Sequence, residues 1–337
     1  MTSDVSESSA QVPPDAALQA AMRNAVAPDY LVTHSGGFHA DELMSSVILT
    51  RLFPEATLVR SRAAEWISPA ADRVIYDVGG SYDAAARIFD HHQRGAPLRE
   101  DGQPFSSFGL IWRHFGRDYL AVLGVGTGDI DTLHASFDRG FVLPVDLADN
   151  GAISLSAAGP LAGMTLMGLL ETLKPVFDET DPTAEDRAFQ QGLSIARAFV
   201  EARVAQSVAK LRAEGLVHEA IARAGTGRVL ELPLGMPFRA AISQAGADQL
   251  LFVVHPRQDG DWCLTGIRRN EGEFDLRADL PAHWAGLTDA ALEAASGVPG
   301  ATFCHNARFI AAARTREAAL ALADLAVGAA EALREVG

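Results

Sequence analysis

Four short apolar runs, three in the first third of the chain and one near its middle, end abruptly in histidines or carboxylates. They stop at four polar islands, residues 34–42 (HSGGFHADE), 77–80 (DVGG), 90–92 (DHH) and 146–151 (DLADNG). An apolar run that stops at a charged group is typical of strands in an open α/β sheet, which deliver functional side chains to one edge. This pattern restricts the chain to a fold in which the islands can meet at a single sheet edge.

The sequence between these islands alternates between strand and helix patterns. Strands are predicted at residues 30–33, 57–60, 73–77 and 88–90, and helices at residues 40–52 and 106–115. Such alternation favours parallel strands joined by crossover helices. The predicted fold class is therefore α/β, with a doubly wound, largely parallel sheet.

The second half of the chain predicts a long helix followed by a smaller domain. Residues 183–214 contain no proline and have apolar residues at helical spacing, which indicates one connecting helix. Strand patterns near 229–232, 250–254 and 262–267, and a last helix at 315–336, predict a second α/β or α+β domain. The expected organisation is a disordered tail (1–28), a first domain with the polar islands (29–182), the connecting helix (183–214) and a second domain (215–337).

Composition limits the partners that the protein can bind. The net charge of −15 argues against broad binding to duplex DNA, which depends on phosphate neutralisation by Lys and Arg. A short nucleic-acid end can still enter a narrow cleft in which metal ions supply the positive charge. The sequence does not determine the oligomeric state and is compatible with a homo-oligomer.

The sequence also predicts a soluble cytoplasmic protein without a membrane partner. Cys263 and Cys304 are far apart and form no CxxC motif, which favours a reducing compartment. The N-terminus lacks the basic and then apolar pattern of a signal peptide. Residues 152–170 are the only candidate membrane span, and Gly159-Pro160 within them favours a buried helix pair instead.

Each island has a simple structural explanation beside a functional one. Asp41 stands where a carboxylate can cap the following helix, and Asp77 stands where one can form a turn. Adjacent histidines after an apolar strand, as at His91-His92, are harder to explain structurally, and Asp90 can orient one of their rings.

The other two islands supply further ligand candidates. The Gly36-Gly37 turn allows His34, His39 and Asp41 to face one point. In the last island, either Asp146 or Asp149 can be a ligand while its neighbour caps a helix. Four such islands in one domain together indicate a pair of divalent ions, which typically carries out phosphoryl chemistry.

The types of ligand narrow the choice of ion. The islands contain no thiolate, which disfavours a structural zinc site, and a site lined only by oxygen would suit Mg²⁺. Histidines mixed with carboxylates favour Mn²⁺, Co²⁺ or Fe²⁺. The expected cofactor is two Mn²⁺ ions, with Co²⁺, Fe²⁺ and Mg²⁺ as alternatives.

The same residues resemble a known family. The segments THSGGFHADE, YDVGG, RIFDHHQR, SSFGLIWRHFG and DLADNG are similar to those of the melanocyte proliferating gene family of metal-dependent hydrolases. The similarity continues in LPAHWAGLTDAALEAASGVPGATFCHNARFIAAARTREAALALA and so covers nearly the whole chain from about residue 30. That family is in turn similar to the DHH phosphoesterases, which include manganese pyrophosphatases and single-strand exonucleases.

The resemblance implies a DHH-phosphoesterase-like catalytic domain with two ion sites that share one carboxylate. His34, His39 and Asp77 would hold one ion, and Asp41, Asp77, His91 and Asp149 (or Asp146 in its place) the other. Asp90, His91 and His92 would be the catalytic residues, and His92 would contact the scissile phosphate or its leaving group.

Two departures from the family patterns bear on ion and substrate choice. The wider superfamily usually has an aspartate at the position of His39, so this branch differs in ion preference. Near the C-terminus the family tends to read His-Ala-Ser-Gly-Phe, whereas residues 305–309 read His-Asn-Ala-Arg-Phe. The candidate substrate-binding residues share a cationic or imidazole group, and they are Arg94, Arg268, Arg269, His305 and Arg308.

Three functions remain open on the sequence. Eukaryotic relatives are regarded as 3′→5′ RNA exonucleases, so the resemblance implies an exonuclease or oligoribonuclease on single-stranded RNA. The alternatives are a phosphatase or phosphodiesterase for small substrates such as pyrophosphate or dinucleotides, and a non-catalytic binding protein. Base stacking on aromatic side chains would favour RNA. The candidates for stacking are Trp112, Trp262, Phe303 and Phe309.

Overall fold

The computed structural model describes residues 27–270 and 275–336. The chain divides between Val208 and Ala209 into two compact units, each of which contains one five-stranded sheet. The protein is therefore a mixed α/β chain with two sheets. The predicted disordered tail, residues 1–28, lies outside the described residues except for its last two.

The sheet of the first unit is largely parallel. Its strands are β1 (Tyr30–Thr33), β2 (Thr57–Arg60), β3 (Arg73–Tyr76), β4 (Tyr82–Asp83) and β5 (Ile88–Phe89). They lie in the order β2-β1-β3-β5-β4, and only the β4–β5 pair is antiparallel. The largely parallel sheet is confirmed, whereas the doubly wound arrangement stays a prediction.

Between residues 27 and 183 the first unit has two long helices and several shorter ones. They are α1 (Ala40–Leu52), α2 (Ala64–Ile67), α3 (Ser107–Val122), α4 (Ile130–Phe137), α5 (Leu143–Asp149) and α6 (Leu166–Glu171), with a π-helical turn (Asp138–Val142) between α4 and α5. The first ten residues of α1 are buried. The hydroxyls of Ser45 on α1 and Ser107 on α3 are 3.2 Å apart, because small side chains let these helices approach closely.

The predicted buried helix pair at residues 152–170 is wrong. Residues Leu155–Met164 form a 3₁₀ segment, most of whose side chains are exposed, and the short α6 follows. Gly159 has a φ of +57° and Pro160 lacks an N–H group, so the chain cannot continue as an α-helix there. In the described ranges no helix has the length and apolar character needed to cross a bilayer.

Helix α7 (Ala184–Ala224) is ten residues longer at its C-terminal end than predicted. The prediction ends before Gly215, since glycine costs a helix about 1 kcal/mol relative to alanine. Val217 and Ala220 are buried in the core of the second unit together with Leu230 and Ile242. This burial stabilises the last turns of the helix beyond the glycine.

The sheet of the second unit is mostly antiparallel. Its strands are β6 (Val229–Glu231), β7 (Phe252–Pro256), β8 (Trp262–Gly266), β9 (Ala301–Cys304) and β10 (Ile310–Ala313), in the order β6-β7-β8-β10-β9. Only β6 and β7 are parallel. The helices are α8 (Arg239–Gln244), α9 (Asp289–Ser296) and α10 (Arg316–Val336), and Leu322 and Ala326 of α10 are buried in the sheet's core.

Candidate metal centre

Three neighbouring strands supply the first residues of the candidate centre. His34 follows β1, Asp77 follows β3 and Asp90 follows β5. Because β1, β3 and β5 are adjacent and parallel, their carboxyl ends lie at the same edge of the sheet. The structure thus brings together three of the four islands as the sequence predicts.

Asp77 faces two histidines at once. Its φ of +56° is unusual for a residue other than glycine, and it turns the chain sharply after β3. One carboxylate oxygen, Oδ2, lies 3.1 Å from Nε2 of His34, and the other, Oδ1, lies 3.3 Å from Nε2 of His91. A carboxylate in this position can bridge two ions, as the resemblance implies.

The beginning of helix α1 contributes three more polar groups. His39 is the residue before the helix, and its backbone N–H donates to both carboxylate oxygens of Glu42 at 2.8 Å. The Oε1 atom of Glu42 also lies 3.1 Å from Nε2 of His34. Asp41, which lies between His39 and Glu42 in the sequence, is 1% exposed and accepts a hydrogen bond from the Ser107 hydroxyl at 2.9 Å.

Glu42 is a site residue that the sequence analysis did not single out. Its side chain is completely buried, and it contacts His34 and His39 of the same island. The available signal was its position three residues after the helix-capping residue, which is the carboxylate position of a capping box. A capping carboxylate is normally exposed, so only burial identifies Glu42 as part of the centre.

The last island reaches the centre through Asp149. Its Oδ2 atom lies 3.2 Å from Nε2 of His91, and Oδ2 of Asp41 lies 3.8 Å from the same nitrogen. His91 is therefore surrounded by the carboxylates of Asp41, Asp77 and Asp149.

Asp146, the alternative ligand, is separated from this cluster. Its Oδ1 accepts hydrogen bonds from the Ser106 hydroxyl at 2.6 Å and from the Gly109 backbone at 3.0 Å. Its Oδ2 accepts one from the Arg99 guanidinium. Both oxygens of Asp146 are thus engaged with helix α3 and Arg99, which favours Asp149 as the ligand candidate and gives Asp146 a role in anchoring α5.

Asp90 and His92 form a hydrogen-bonded pair beside the cluster. Oδ1 of Asp90 lies 2.7 Å from Nδ1 of His92 and also accepts the backbone N–H groups of His91 and His92. Its Oδ2 accepts the N–H of Gly80 at 2.6 Å. The His92 side chain is 63% exposed. Because Asp90 engages its Nδ1 atom, the Nε2 atom of the ring is available to bind a ligand.

The carboxylates of the centre repel one another. Burial raises the pKa of Asp41, and the charge of Asp77 adds to this rise. Burial also raises the pKa of Glu42 to about 8 and that of Asp149 to about 9, with the charge of Asp41 a further cause in both. Burial is the main cause of these shifts, and repulsion between the neighbouring carboxylates adds to it.

The pKa values of His34 and His91 are raised as well, but for a different reason. Burial alone would lower the pKa of His34, but hydrogen bonds to Asp77 and Glu42 raise it to about 10. Burial likewise works against protonation of His91, yet its contacts with Asp77, Asp41 and Asp149 raise its pKa to about 9. For Asp77, burial is outweighed by the two histidines, which lower its pKa. The histidines and Asp77 thus stabilise one another's charged forms.

The donor set fits divalent cations. Three buried atoms of the centre have no hydrogen-bond partner: Oδ1 of Asp41, Oδ1 of Asp77 and Nε2 of His91. Buried polar atoms are normally satisfied, so orphaned atoms that face one another indicate a missing ligand. Ligand atoms lie within 4.8 Å of one another in four overlapping groups: His34/His39/Glu42, Asp41/Glu42/Asp77, Asp77/His91/His92 and His39/Asp41/Asp149. Mixed nitrogen and oxygen donors of this kind suit first-row divalent ions.

A cavity of about 670 Å³ adjoins these groups. Its lining combines residues of the centre with residues of helix α5 and of the segment that follows it. They are His39, Ala40, Asp41, His91, His92, Val145, Ala148, Asp149, Asn150, Gly151, Ile153, Ser154, Leu155, Met167 and Glu171.

The predicted substrate-binding residues lie in two places. Arg94 is an exposed residue of the first unit, two positions after His92. In the second unit Arg268 and Arg269 follow β8, His305 follows β9, and Arg308 precedes β10. Because β10 is antiparallel to both β8 and β9, these four residues share one edge of the second sheet.

Some of these second-unit groups already have partners in the protein. The guanidinium of Arg308 donates to the Asp279 carboxylate at 2.6 Å, and that of Arg269 donates to the Leu276 carbonyl at 3.0 Å. Nδ1 of His305 accepts the N–H of Ala307 at 3.0 Å. Their role in binding substrate stays a prediction.

Among the stacking candidates, Trp112 is excluded. Its side chain is completely buried, and its ring stacks on His134 with the centroids 5.0 Å apart. Trp112 lies on the buried face of helix α3, and the sequence composition does not reveal whether a tryptophan is buried or exposed. Phe303 and Phe309 are 37% and 40% exposed, and Trp262 is half-buried.

Known proteins share most of this sequence. The family model MYG1_exonuc, described as the uncharacterised protein family UPF0160, matches residues 30–327. The MYG1 exonuclease of Bos taurus is 34% identical over 326 residues, which cover 88% of this chain and 84% of that protein. The MYG1 exonuclease of Homo sapiens is 33% identical (88% and 85% covered), and a MYG1 protein of Saccharomyces cerevisiae is 32% identical (88% and 95%).

A solved structure was also similar at a low level. RecJ from Thermus thermophilus, in complex with Mg²⁺, is 13% identical with a TM-score of 0.26, and the match covers 96% of this chain and 54% of that one. An overlap this low supports no inference about the present chain.

Proposed function

Since this chain belongs to the MYG1 family, we propose that it is a metal-dependent phosphodiesterase that removes nucleotides from the 3′ end of single-stranded RNA. Mammalian relatives of similar length are named exonucleases, which supports a nuclease reaction. The observation that carries the proposal is the carboxylate of Asp77, whose two oxygens face His34 and His91 within one cluster of ligand atoms.

The residues of the centre divide into two sets around Asp77. His34, His39 and Asp77 would hold one ion, with Glu42 beside them, and Asp41, Asp77, His91 and Asp149 would hold the other. When bound, a pair of divalent ions activates water near neutral pH and stabilises the attacking and leaving oxygens of phosphoryl transfer. The mixture of histidines and carboxylates favours Mn²⁺, Co²⁺ or Fe²⁺, and we propose Mn²⁺ on availability, with Mg²⁺ as a further alternative.

His92 is the side chain of this chain best placed to handle a proton. Asp90 engages Nδ1 of His92 at 2.7 Å and so orients its ring, and the Nε2 atom is left for the substrate. A proton held at Nε2 can be donated to the oxygen that leaves the phosphorus atom. Asp90 thereby acts as a positioning residue for His92, whereas His91 belongs to the ligand cluster.

The proposal is tested with 5′-labelled single-stranded RNA in the presence of Mn²⁺. The wild type should produce a ladder that shortens from the 3′ end, and Asp77→Asn should lower the rate by at least a thousandfold. Asparagine tolerates the positive φ of Asp77, so this variant should fold normally, which circular dichroism checks. Full activity of the variant with two bound Mn²⁺ ions would refute the ligand assignment.

A small-substrate phosphodiesterase is the second candidate function. The net charge of −15 favours a short substrate over a long one, because an acidic surface repels a polyanion. Pyrophosphate and an RNA dinucleotide are therefore assayed beside the long RNA. Turnover of the small substrates alone would place the protein in this class, and binding of RNA without turnover of any substrate would indicate a non-catalytic protein.

A further inference from the structure

The cavity beside the candidate metal centre has a lining of two kinds. Its polar part comes from the centre and includes His91, His92 and Asp149. Its apolar part comes from helix α5 and the segment after it, and consists of Val145, Ile153, Leu155 and Met167 with small residues between them. A site built only for phosphate would need no apolar part.

The charges of the lining are equally informative. The lining residues include no arginine or lysine, although they include the carboxylate of Glu171, which is paired with Lys174 at 2.6 Å. One phosphate can be neutralised at the histidines and ions of the centre. A second phosphate deeper in the cavity would meet no cationic side chain from the described lining.

Three of the four apolar side chains are partly exposed rather than packed in a core, whereas Val145 is buried. Ile153 is 48% exposed, and Leu155 and Met167 are half-buried, although they line the same cavity as the buried residues of the metal centre. Apolar side chains that line a concave site are typical of pockets that bury the apolar part of a ligand. Methionine suits a flat aromatic ligand because its thioether is flexible and makes favourable contacts with rings.

We propose that this cavity holds the terminal nucleoside of the substrate, with the base against Ile153, Leu155 and Met167 and the phosphate at His92 beside the ligand cluster. The proposal rests on the phosphodiesterase function and adds the pocket that receives the terminal base. The volume of about 670 Å³ is within the usual range of 300–1,000 Å³ for small-molecule sites. Pyrophosphate, which has no apolar surface and carries two phosphates, fits this lining poorly.

Two consequences follow for specificity. Apolar contact recognises the face of any base, so the four nucleotides should be removed at similar rates. A substrate whose terminal base is missing should bind more weakly, because it leaves the apolar lining in contact with water. The base therefore contributes mainly to KM, while the centre sets kcat.

The test compares binding of adenosine 5′-monophosphate and ribose 5-phosphate to the Mn²⁺-loaded protein by isothermal titration calorimetry. The wild type should bind the nucleotide at least tenfold more tightly. Met167→Ala and Ile153→Ala should each reduce this ratio by threefold or more. The matched control is Met164→Ala, since Met164 lies in the same segment, is 69% exposed and does not line the cavity.

Three outcomes would overturn the inference in distinguishable ways. Equal affinity for the two compounds, in a protein that cleaves RNA, would refute base binding and leave the phosphodiesterase function intact. Equal effects of Met167→Ala and Met164→Ala would refute the assignment of the apolar residues. Failure of the wild type both to bind either compound and to cleave RNA would refute the proposed function itself.

Discussion

At the scale of single residues, the centre depends on carboxylates that are buried without enough compensating charge. Asp41, Glu42 and Asp77 are each no more than 4% exposed. Their ion pairs in the described part of the chain are with the histidines His34, His91 and His92. Burying carboxylates in this way costs stability unless cations compensate, so divalent ions that bind here would stabilise the fold.

Glu42 provides the most informative single substitution. In Glu42→Gln the side chain keeps its shape, but the negative charge beside His34 is lost. We expect Mn²⁺ affinity to fall by roughly 10–100-fold, the usual effect of removing a partner of a metal ligand. The metal-free variant should be at least as stable as the wild type, because one repelling carboxylate has been removed.

Calorimetric titration with Mn²⁺ and thermal unfolding without metal measure the two effects of Glu42→Gln. The control is Glu55→Gln, which changes an exposed glutamate just after the same helix. Unchanged Mn²⁺ affinity would show that Glu42 only caps helix α1.

At the scale of elements, the contact between helices α3 and α5 sets the position of Asp149. Asp146 of α5 accepts hydrogen bonds from Ser106 and Gly109 at the beginning of α3. The side chain of Asn150 also donates to the Phe105 carbonyl at 3.1 Å. Asp149 lies between these two anchored residues, so its carboxylate is delivered to His91 by the packing of two helices.

Gly109→Ala tests this anchoring. A Cβ atom at Gly109 would lie 2.2 Å from Oδ2 of Asp146 and 2.7 Å from the Phe105 ring, so α5 would have to move. Overpacking of this kind typically destabilises a protein by about 1–3 kcal/mol. Mn²⁺ affinity should also fall, because Asp149 moves with its helix.

The matched control for Gly109→Ala is Gly215→Ala in helix α7. An added Cβ at Gly215 meets no atom within 4 Å, so this change should stabilise the helix by up to about 1 kcal/mol. Urea unfolding measures the stability of each variant, and calorimetric titration measures its Mn²⁺ affinity. A Gly109→Ala protein with unaltered stability and affinity would contradict the anchoring role of Asp146.

At the scale of the whole molecule, ion binding should appear as stability of the fold. Ligands that bind only the native state stabilise it by about 2.7 kcal/mol when present at a hundred times their Kd. Mn²⁺ should therefore raise the Tm of the wild type by several degrees, and EDTA should reverse the rise. Asp77→Asn should show little response to either, and an equal response in the variant would argue against a centre built on Asp77.

The sequence by itself determined most of the elements and the chemical type of the site. Helix α1 and strands β1 and β2 lie where the sequence predicts them, since local propensity and burial agree in these segments. The islands after β1, β3 and β5 meet because parallel neighbouring strands must present their carboxyl ends at one edge. The family was predicted from the same motifs, and the family model confirms it.

Only the tertiary structure decided which groups of each island face the centre. Whether Asp146 or Asp149 contacts His91 depends on how α5 packs against α3, and no spacing in the sequence encodes that packing. Glu42 resembles an ordinary capping residue until its complete burial is seen, and Trp112 resembles a stacking residue until it is found in the core. Local periodicity fixes the face of an element to which a residue belongs, but burial and mutual distance arise from contacts between elements far apart in the chain.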